Sequence, residues 1–348
     1  MVSALKRKPW FIKLSNNEYW PPWIYYVPVW IQHFWLALRV RNLYFFLGTN
    51  PAIEGFILSD SKSKTLQLVP EAHRPASVLI PEKDTVDQVI DKLVASGLEF
   101  PVILKPDIGF RGIKVHKVDH PEQLSALLTD RKIPLLVQEY CEGPLEMGIF
   151  YYRYPGNKKG CIPSITVKEP LMVTGDGSAT LKELIMRKPR AILQQQPLKA
   201  KFPEHWDDIP GKGVQVVLET IGNHNRGSKF INGTHMVDKE LLEIFDSLSH
   251  QMEGFYFGRF DIRTASLEAL KEKREFKILE VNGVGAEPTH IYDPKTTQFK
   301  AWTDLCHTWK VASRIARINF ANGLKRPTYF EARRRWRSYV AYRSALLG

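Results

Sequence analysis

Three oxygen-bearing side chains, Asp261, Glu280 and Asn282, sit in two short apolar runs: Phe-Gly-Arg-Phe-Asp-Ile-Arg over 257–263 and Ile-Leu-Glu-Val-Asn over 278–282. The runs read as two adjacent strands, on which Glu280 and Asn282, two apart, share a face. With an aspartate on the neighbouring strand they form a hard-oxygen set suited to Mg²⁺, which proteins usually hold through one or two carboxylates plus substrate phosphates. A hairpin with a few polar residues turned to water would account for the same triplet. A second motif weighs against that reading.

That motif is Phe-Pro-Val-Ile-Leu-Lys-Pro-Asp-Ile-Gly-Phe-Arg-Gly-Ile-Lys-Val over 100–115. Val102, Ile103 and Leu104 read as a short buried strand, and Lys105 at its end is a point-charge partner for phosphate. Gly109 and Gly112 bracket a loop ahead of a strand predicted over 113–118, and glycines let backbone amides approach an anion. A helix is predicted over 121–128, then a buried strand over 135–141 that leaves Gln138 and Glu139 at its end. Those two could face an adenine ring and a ribose. Glu146, after the Gly143-Pro144 turn, is a further ribose candidate. Neither a Walker-type phosphate loop nor a Gly-x-Gly-x-x-Gly is present, so a nucleotide site here belongs to another fold.

In this order the pieces resemble the ATP-grasp superfamily of carboxylate–amine ligases, and most of all its D-alanine–D-alanine ligase and cyanophycin-synthetase-like branches, over roughly residues 60–290. The resemblance implies an α/β (α+β) fold: two α+β lobes with ATP between them, plus helical N- and C-terminal extensions. It also implies site residues. Lys105 would contact the α/β-phosphates, and the loop Gly109, Arg111, Gly112 would close over the β/γ-phosphates. Glu139 and Tyr140 would form the adenine hinge, and Glu146 would hold the ribose. Asp261, Glu280 and Asn282 would bind one or two Mg²⁺, with Mn²⁺ as the substitute. Arg259 would stabilise the negative charge of the tetrahedral intermediate. A second ATP lysine usually precedes the first in this family; Ser61-Lys62-Ser63-Lys64 occupies that place, and Lys62 fits better than Lys64. The segment from Val173 through Gly175, Gly177 and Thr180 resembles a loop–helix insertion of the cyanophycin-type enzymes, with Ser178 or Thr180 as helix cap. Where the ligases usually run Glu-x-Asn-x-x-Pro-Gly, this chain has Glu280-Val-Asn282-Gly-Val-Gly-Ala-Glu-Pro. That departure bears on the substrate more than on the ATP chemistry.

The reaction implied is activation of a carboxylate by the γ-phosphoryl group, followed by attack of an amine. Such chemistry rests on positioning and charge stabilisation. The substrates expected are a small carboxylate and an amino acid or other small amine, both unidentified. Candidate substrate contacts are His224 and Arg226, in a Gly/Asn-rich loop, and His290 near Asp293; turn-forming and structural roles are the rival readings. Trp206 belongs to a lid or anchors a surface loop. Two rival functions stand beside the ligase: a phosphotransferase acting on a hydroxyl, and a nucleotide-binding scaffold without turnover.

At 348 residues with 44% hydrophobic and 25% charged side chains, the chain is of ordinary globular composition. Cys141, Cys161 and Cys306 lack metal spacing and even pairing, and read as buried, reduced thiols of a cytoplasmic protein. The net charge of +12 concentrates in an arginine-rich tail over 325–343 that also carries Trp336, Tyr339 and Tyr342. The N-terminal stretch from Trp20 to Arg39 is strongly aromatic, yet too interrupted for a spanning helix and unlike a signal peptide. Both ends could pack on the core. The favoured alternative is peripheral attachment to an anionic membrane at its inner face. Nucleic acid ranks below both, because no recognisable motif supports it. The sequence leaves the oligomeric state open.

The expected organisation is an aromatic N-terminal segment over 1–58, helical beyond Pro28; a first lobe over 59–143; a second lobe with the metal site over 144–298; and a basic helical extension over 299–348, broken at Asn322-Gly323 and Pro327. Within the lobes, helices are predicted over 85–96, capped by Asp84, and over 239–253.

Overall fold

The computed structural model describes residues 7–348 except 110, 111 and 130. Its helices, in chain order, are α1 (Pro9–Ser15), α2 (Pro22–Val40), α3 (Lys62–Gln67), α4 (Val86–Ala95), α5 (Pro121–Leu128), α6 (Leu181–Arg187), α7 (Pro189–Ile192), α8 (Gln195–Lys201), α9 (Lys239–Gln251), α10 (Leu267–Lys271), α11 (Gln298–Ala321) and α12 (Tyr329–Leu347). The strands are β1 (Ser77–Ile80), β2 (Val102–Pro106), β3 (His116–Val118), β4 (Leu135–Glu139), β5 (Leu145–Tyr152), β6 (Cys161–Glu169), β7 (Leu171–Thr174), β8 (Gln215–Glu219), β9 (Lys229–Asn232), β10 (Phe257–Thr264) and β11 (Phe276–Asn282).

The first antiparallel sheet has the order β1-β4-β2-β3. Val102, Leu104 and Val137 alternate onto one face, where Val89 and Leu93 of α4 and Leu124 of α5 cover them. Helix α4 starts on a capping box: the Thr85 hydroxyl accepts from Gln88 N, and Gln88 Oε1 accepts from Thr85 N. This corrects the assignment of Asp84 as cap. Thr85 is the residue with extended backbone and a Gln three positions on, while Asp84 pairs with Lys92 at 2.6 Å.

The second sheet runs β11-β10-β5-β6-β9, all antiparallel. Its core side carries Met147, Ile149 and Tyr151 of β5 with Phe260 and Ile262 of β10, packed on Leu241, Phe245 and Leu248 of α9. Period-two alternation therefore sends Arg259, Asp261 and Arg263 to the opposite face. On β11 the pairing slips between Asp261 and Ile262, so that Asp261 faces Glu280 while Ile262 faces Ile278. This bulge at Leu279 keeps Ile278 in the core and turns Glu280 and Asn282 to the same side as Asp261.

A smaller unit hangs from the second sheet. It pairs β7 with β8 and packs α6, α7 and α8 around Leu181, Leu184, Ile185, Leu218 and Trp206. Thr180, with Glu183, caps α6. Trp206 is buried in this core and anchors it.

The described N- and C-terminal helices pack on the rest of the molecule. Helix α2 begins at Pro22, earlier than expected, because Pro21 and Pro22 fall at its N-cap and first turn, where no N–H partner is required; Pro28 lies inside it. Tyr25 and Val29 meet Ala301 and Leu305 of α11, and Leu36, Ala37 and Val40 meet Ala316 and Phe320. Helix α12 places Ala332 in that second cluster and Leu346 in the core of the first sheet. The break between α11 and α12 falls where Gly323 and Pro327 predict it. Among the described residues, no helix is long and apolar enough to cross a membrane. All three cysteines are free thiols; Cys141 is buried, while Cys161 and Cys306 are half-buried rather than buried as expected.

Candidate active site

A cavity of about 1740 Å³ opens between the two sheets. From the first lobe, β2 presents Lys105, whose Nζ donates to Gln138 Oε1 at 2.7 Å and to the Leu279 carbonyl at 3.2 Å. Burial pushes the Lys105 ammonium down to about 8, against the opposing pull of Glu280. Lys62 enters from the first turn of α3, its Nζ 3.2 Å from the Gly109 carbonyl and 3.4 Å from Glu280 Oε1. Asp107, two residues past Lys105, fixes that turn by accepting from Ser61 Oγ at 2.7 Å and Ser63 N at 2.8 Å. Lys64 points away and pairs with Glu54 at the surface.

The second lobe contributes a chain of alternating charges. Arg263 donates to Glu146 at 2.5 Å; Lys168 bridges Glu146 at 2.9 Å and Asp261 at 3.1 Å. Arg259 clamps Asp261 from Nε at 3.1 Å and Nη2 at 3.0 Å, and Asn282 Nδ2 donates to Asp261 Oδ2 at 3.1 Å. Burial alone would raise both carboxyls, but the flanking Arg259 and Lys168 hold Asp261 well below the usual range, and Lys168 and Arg263 lower Glu146. Charges this deep persist only when paired and hydrogen-bonded.

Glu280, with Asp261 and Asn282, forms a hard-oxygen donor set whose chemistry fits Mg²⁺. Asp261 is already bound by two cations and an amide, so Glu280 and the Asn282 oxygen are the accessible members. Among the described residues, no three Asp, Glu, His or Cys side chains converge on a metal position.

The remaining expected residues divide into two groups. Gly109, Gly112, Glu139, Tyr140, Glu146 and His224 all line the cavity. Gly112 has φ of 72°, and a Cβ there would meet Asn223 at 2.9 Å. Arg111 lies outside the described residues. Glu139 accepts from Ala76 N at 3.0 Å, and Tyr140 lies between Lys117 and Arg263. His224 donates toward Glu18 at 3.0 Å, which Arg190 also holds at 2.5 Å. Arg226 is outside the cavity wall; it pairs with Glu219 and donates to the Val115 carbonyl at 2.8 Å, tying its loop to the glycine loop. His290 is buried against Asp304 at 2.9 Å beside a separate small pocket.

Sequence reasoning passed over Lys168, Glu287 and Asp60, and it gave Gln138 to the adenine and ribose rather than to Lys105. Lys168 faces Glu146 in the β5–β6 register, a pairing that only the sheet reveals. Asp60 accepts from Gly283 N at 2.8 Å, and burial, with the nearby Glu280, pushes it up to about 6. The glycines after Asn282 also gain an account. A Cβ on Gly285 would lie 1.4 Å from the Ile57 carbonyl oxygen, so this turn is shaped by the segment packed against it.

Residues 59–147 match the model of the RimK-like ATP-grasp domain. No curated protein matches the chain. Among solved structures, the chain is similar to a bifunctional glutathione synthetase from Pasteurella multocida (17% identity, 70% of this chain and 35% of that one, TM-score 0.38). It is also similar to VanG D-Ala:D-Ser ligase from Enterococcus faecalis (14% identity, 72% and 61%, TM-score 0.40) and to the D-cycloserine synthetase DcsG (10% identity, 71% and 69%, TM-score 0.38). The chain thus spans about a third of the first structure's length.

Proposed function

We propose that this ATP-grasp chain is an ATP-dependent ligase that joins a carboxylate to an amine, releasing ADP and phosphate. The observation that carries the reading is the facing of Lys62 and Lys105 of one lobe with Arg259, Asp261, Lys168, Glu280 and Asn282 of the other across a single cavity. Lys62 and Lys105 would bind the phosphates, taking them in exchange for Glu280, Gln138 and the Leu279 carbonyl. Glu139 and Tyr140 would flank the adenine, Glu146 would face the ribose, and the Gly109–Gly112 loop would cover the phosphates. Glu280 and Asn282, with Asp261, would hold Mg²⁺ or Mn²⁺, which supplies charge neutralisation on the transferred phosphoryl group. Arg259 is held rigid by Asp261 and by the Glu287 carbonyl at 2.9 Å, as a charge stabilising a tetrahedral oxyanion must be. Asp261 and Lys168 are positioning residues for it.

The outer face of α2 supports attachment of the same protein to an anionic lipid surface. Ile31, Trp35 and Leu38 are more than 60% exposed there, with Arg39 and Arg41 at the helix end and Arg333, Arg334 and Arg337 exposed on α12.

The test is incubation of the protein with ATP, Mg²⁺ and a small-metabolite extract, followed by mass spectrometry. Glu280→Gln is the control, because Glu280 is partly exposed and the amide keeps its size and an oxygen facing Lys62. A control-sensitive product equal to two metabolites less water is expected. A phosphorylated metabolite would instead make the protein a phosphotransferase, and ATP binding without turnover would leave a scaffold.

A further inference from the structure

Helix α2 carries three apolar stripes where a surface helix ordinarily has a polar one. Tyr25, Val29, Leu36 and Val40 pack on α11 and its neighbours. Val27, Ile31, Trp35 and Leu38 face outward. The third stripe, Trp23, Tyr26, Trp30 and Phe34, lines the same cavity that holds Lys105 and Arg259. Phe46, Phe56 and Val284 line the same cavity. Trp23, Trp30 and Phe34 remain 57%, 52% and 64% exposed, so among the described residues this wall is open.

The groove reaches the charged centre through one polar junction. The Tyr26 hydroxyl donates to Glu287 Oε1 at 2.7 Å, and the Tyr292 hydroxyl donates to Glu287 Oε2 at 2.9 Å. The Glu287 carbonyl in turn accepts from Arg259. Size agrees with this division: sites for one small molecule measure about 300–1,000 Å³, and this cavity is about 1740 Å³.

We infer that one of the two substrates joined here is an amphiphile, with a hydrocarbon chain lying along Trp23, Trp30 and Phe34 and its reacting polar end at Arg259. The inference rests on the ligase reading for the word substrate, but the apolar site itself does not. A polar headgroup finds partners at the Glu287 junction, and continuity of the groove with the centre sets where the chain must run. Burial of each methylene favours binding by about fourfold.

The test uses two homologous series, straight-chain carboxylates and straight-chain primary amines of rising length. Each competes with a fluorescent dansyl-labelled fatty acid for the full-length protein, with no ATP present. Affinity in one series is expected to rise several-fold per methylene until the groove is filled. Trp30→Ala with Phe34→Ala should flatten that slope, whereas Ile31→Ala with Trp35→Ala on the outer stripe should keep it. Both pairs are exposed, so folding is not at stake. A flat slope in the wild type, a slope indifferent to Trp30 and Phe34, or a dimer that excludes the probe would overturn the inference. Joined products found with short substrates alone would overturn it while leaving the ligase standing. A steep slope without ATP turnover would support the apolar site and sink only the ligase reading.

Discussion

Lys105 offers the sharpest quantitative consequence. Its folded-state value of about 8, against the ordinary lysine value of 10.5, means that burial disfavours the charged form. Such a group costs stability while it stays protonated. The folded protein gives up the proton near pH 8 and the unfolded chain near pH 10.5, so between those values the unfolded state binds more protons and stability rises with pH. At roughly 1.4 kcal/mol per pH unit, the gain from pH 7 to pH 9.5 is about 2 kcal/mol. Replacing Lys105 by Met removes this contribution whatever its constant offset, because Gln138 loses a partner equally at all pH values. The assay is guanidinium unfolding of wild type and Lys105→Met at both pH values, without nucleotide. The wild type should gain on the variant by about 2 kcal/mol as pH rises. ATP, if its phosphates meet this ammonium, should bind with proton uptake and weaken above pH 8 in the wild type alone. Parallel pH profiles for the two proteins would refute both the buried charge and its role.

Lys168→Met should reduce ATP turnover to background and lower the melting temperature, since it breaks a buried network worth about 3–5 kcal/mol when one partner is removed; turnover at the wild-type rate would exclude Lys168 from the centre. Replacing Arg333, Arg334 and Arg337 together by Gln should weaken binding to anionic vesicles at low salt by about a hundredfold, at roughly 1 kcal/mol per basic residue. Unchanged vesicle binding would assign those arginines to solubility. Deleting the whole tail would be a poorer test, because Leu346 is part of a lobe's core.

Much of the centre was legible because its residues are set by local rules. The strand-end Lys105, the glycine loop and the Arg-x-Asp of β10 follow from strand length and period two, and Lys62 and Lys64, two apart on a helix, point to roughly opposite faces, one buried and one exposed. What stayed hidden depends on contacts distant in sequence. Alternation puts Glu280 and Asn282 on one face, but only the bulge at Leu279 decides that this face is the cavity rather than the core. Lys168 has no motif and gains its place by lying opposite Glu146. His290 and Arg226 carried the residue types of a substrate site, yet their partners, Asp304 and Glu219, lie outside the cavity. The aromatic N-terminal segment was visible as composition; that one of its faces continues the cavity wall required the packing of α2 on α11.

Helix α12 shares one apolar cluster with α2 through Ala332, Leu36 and Val40, and its Leu346 joins the core of the first lobe with Val89 and Leu93. At 1.5 Å per residue its 19 residues make a strut of about 28 Å. The helix therefore spans, outside the cavity, from the cluster that backs the apolar groove to the lobe that carries Lys105. If the groove and the lobes move together, Leu346→Ala, which cuts the helix loose from the first lobe's core, should lower the effect of a groove ligand on nucleotide affinity; an unchanged effect would leave the helix a static cover.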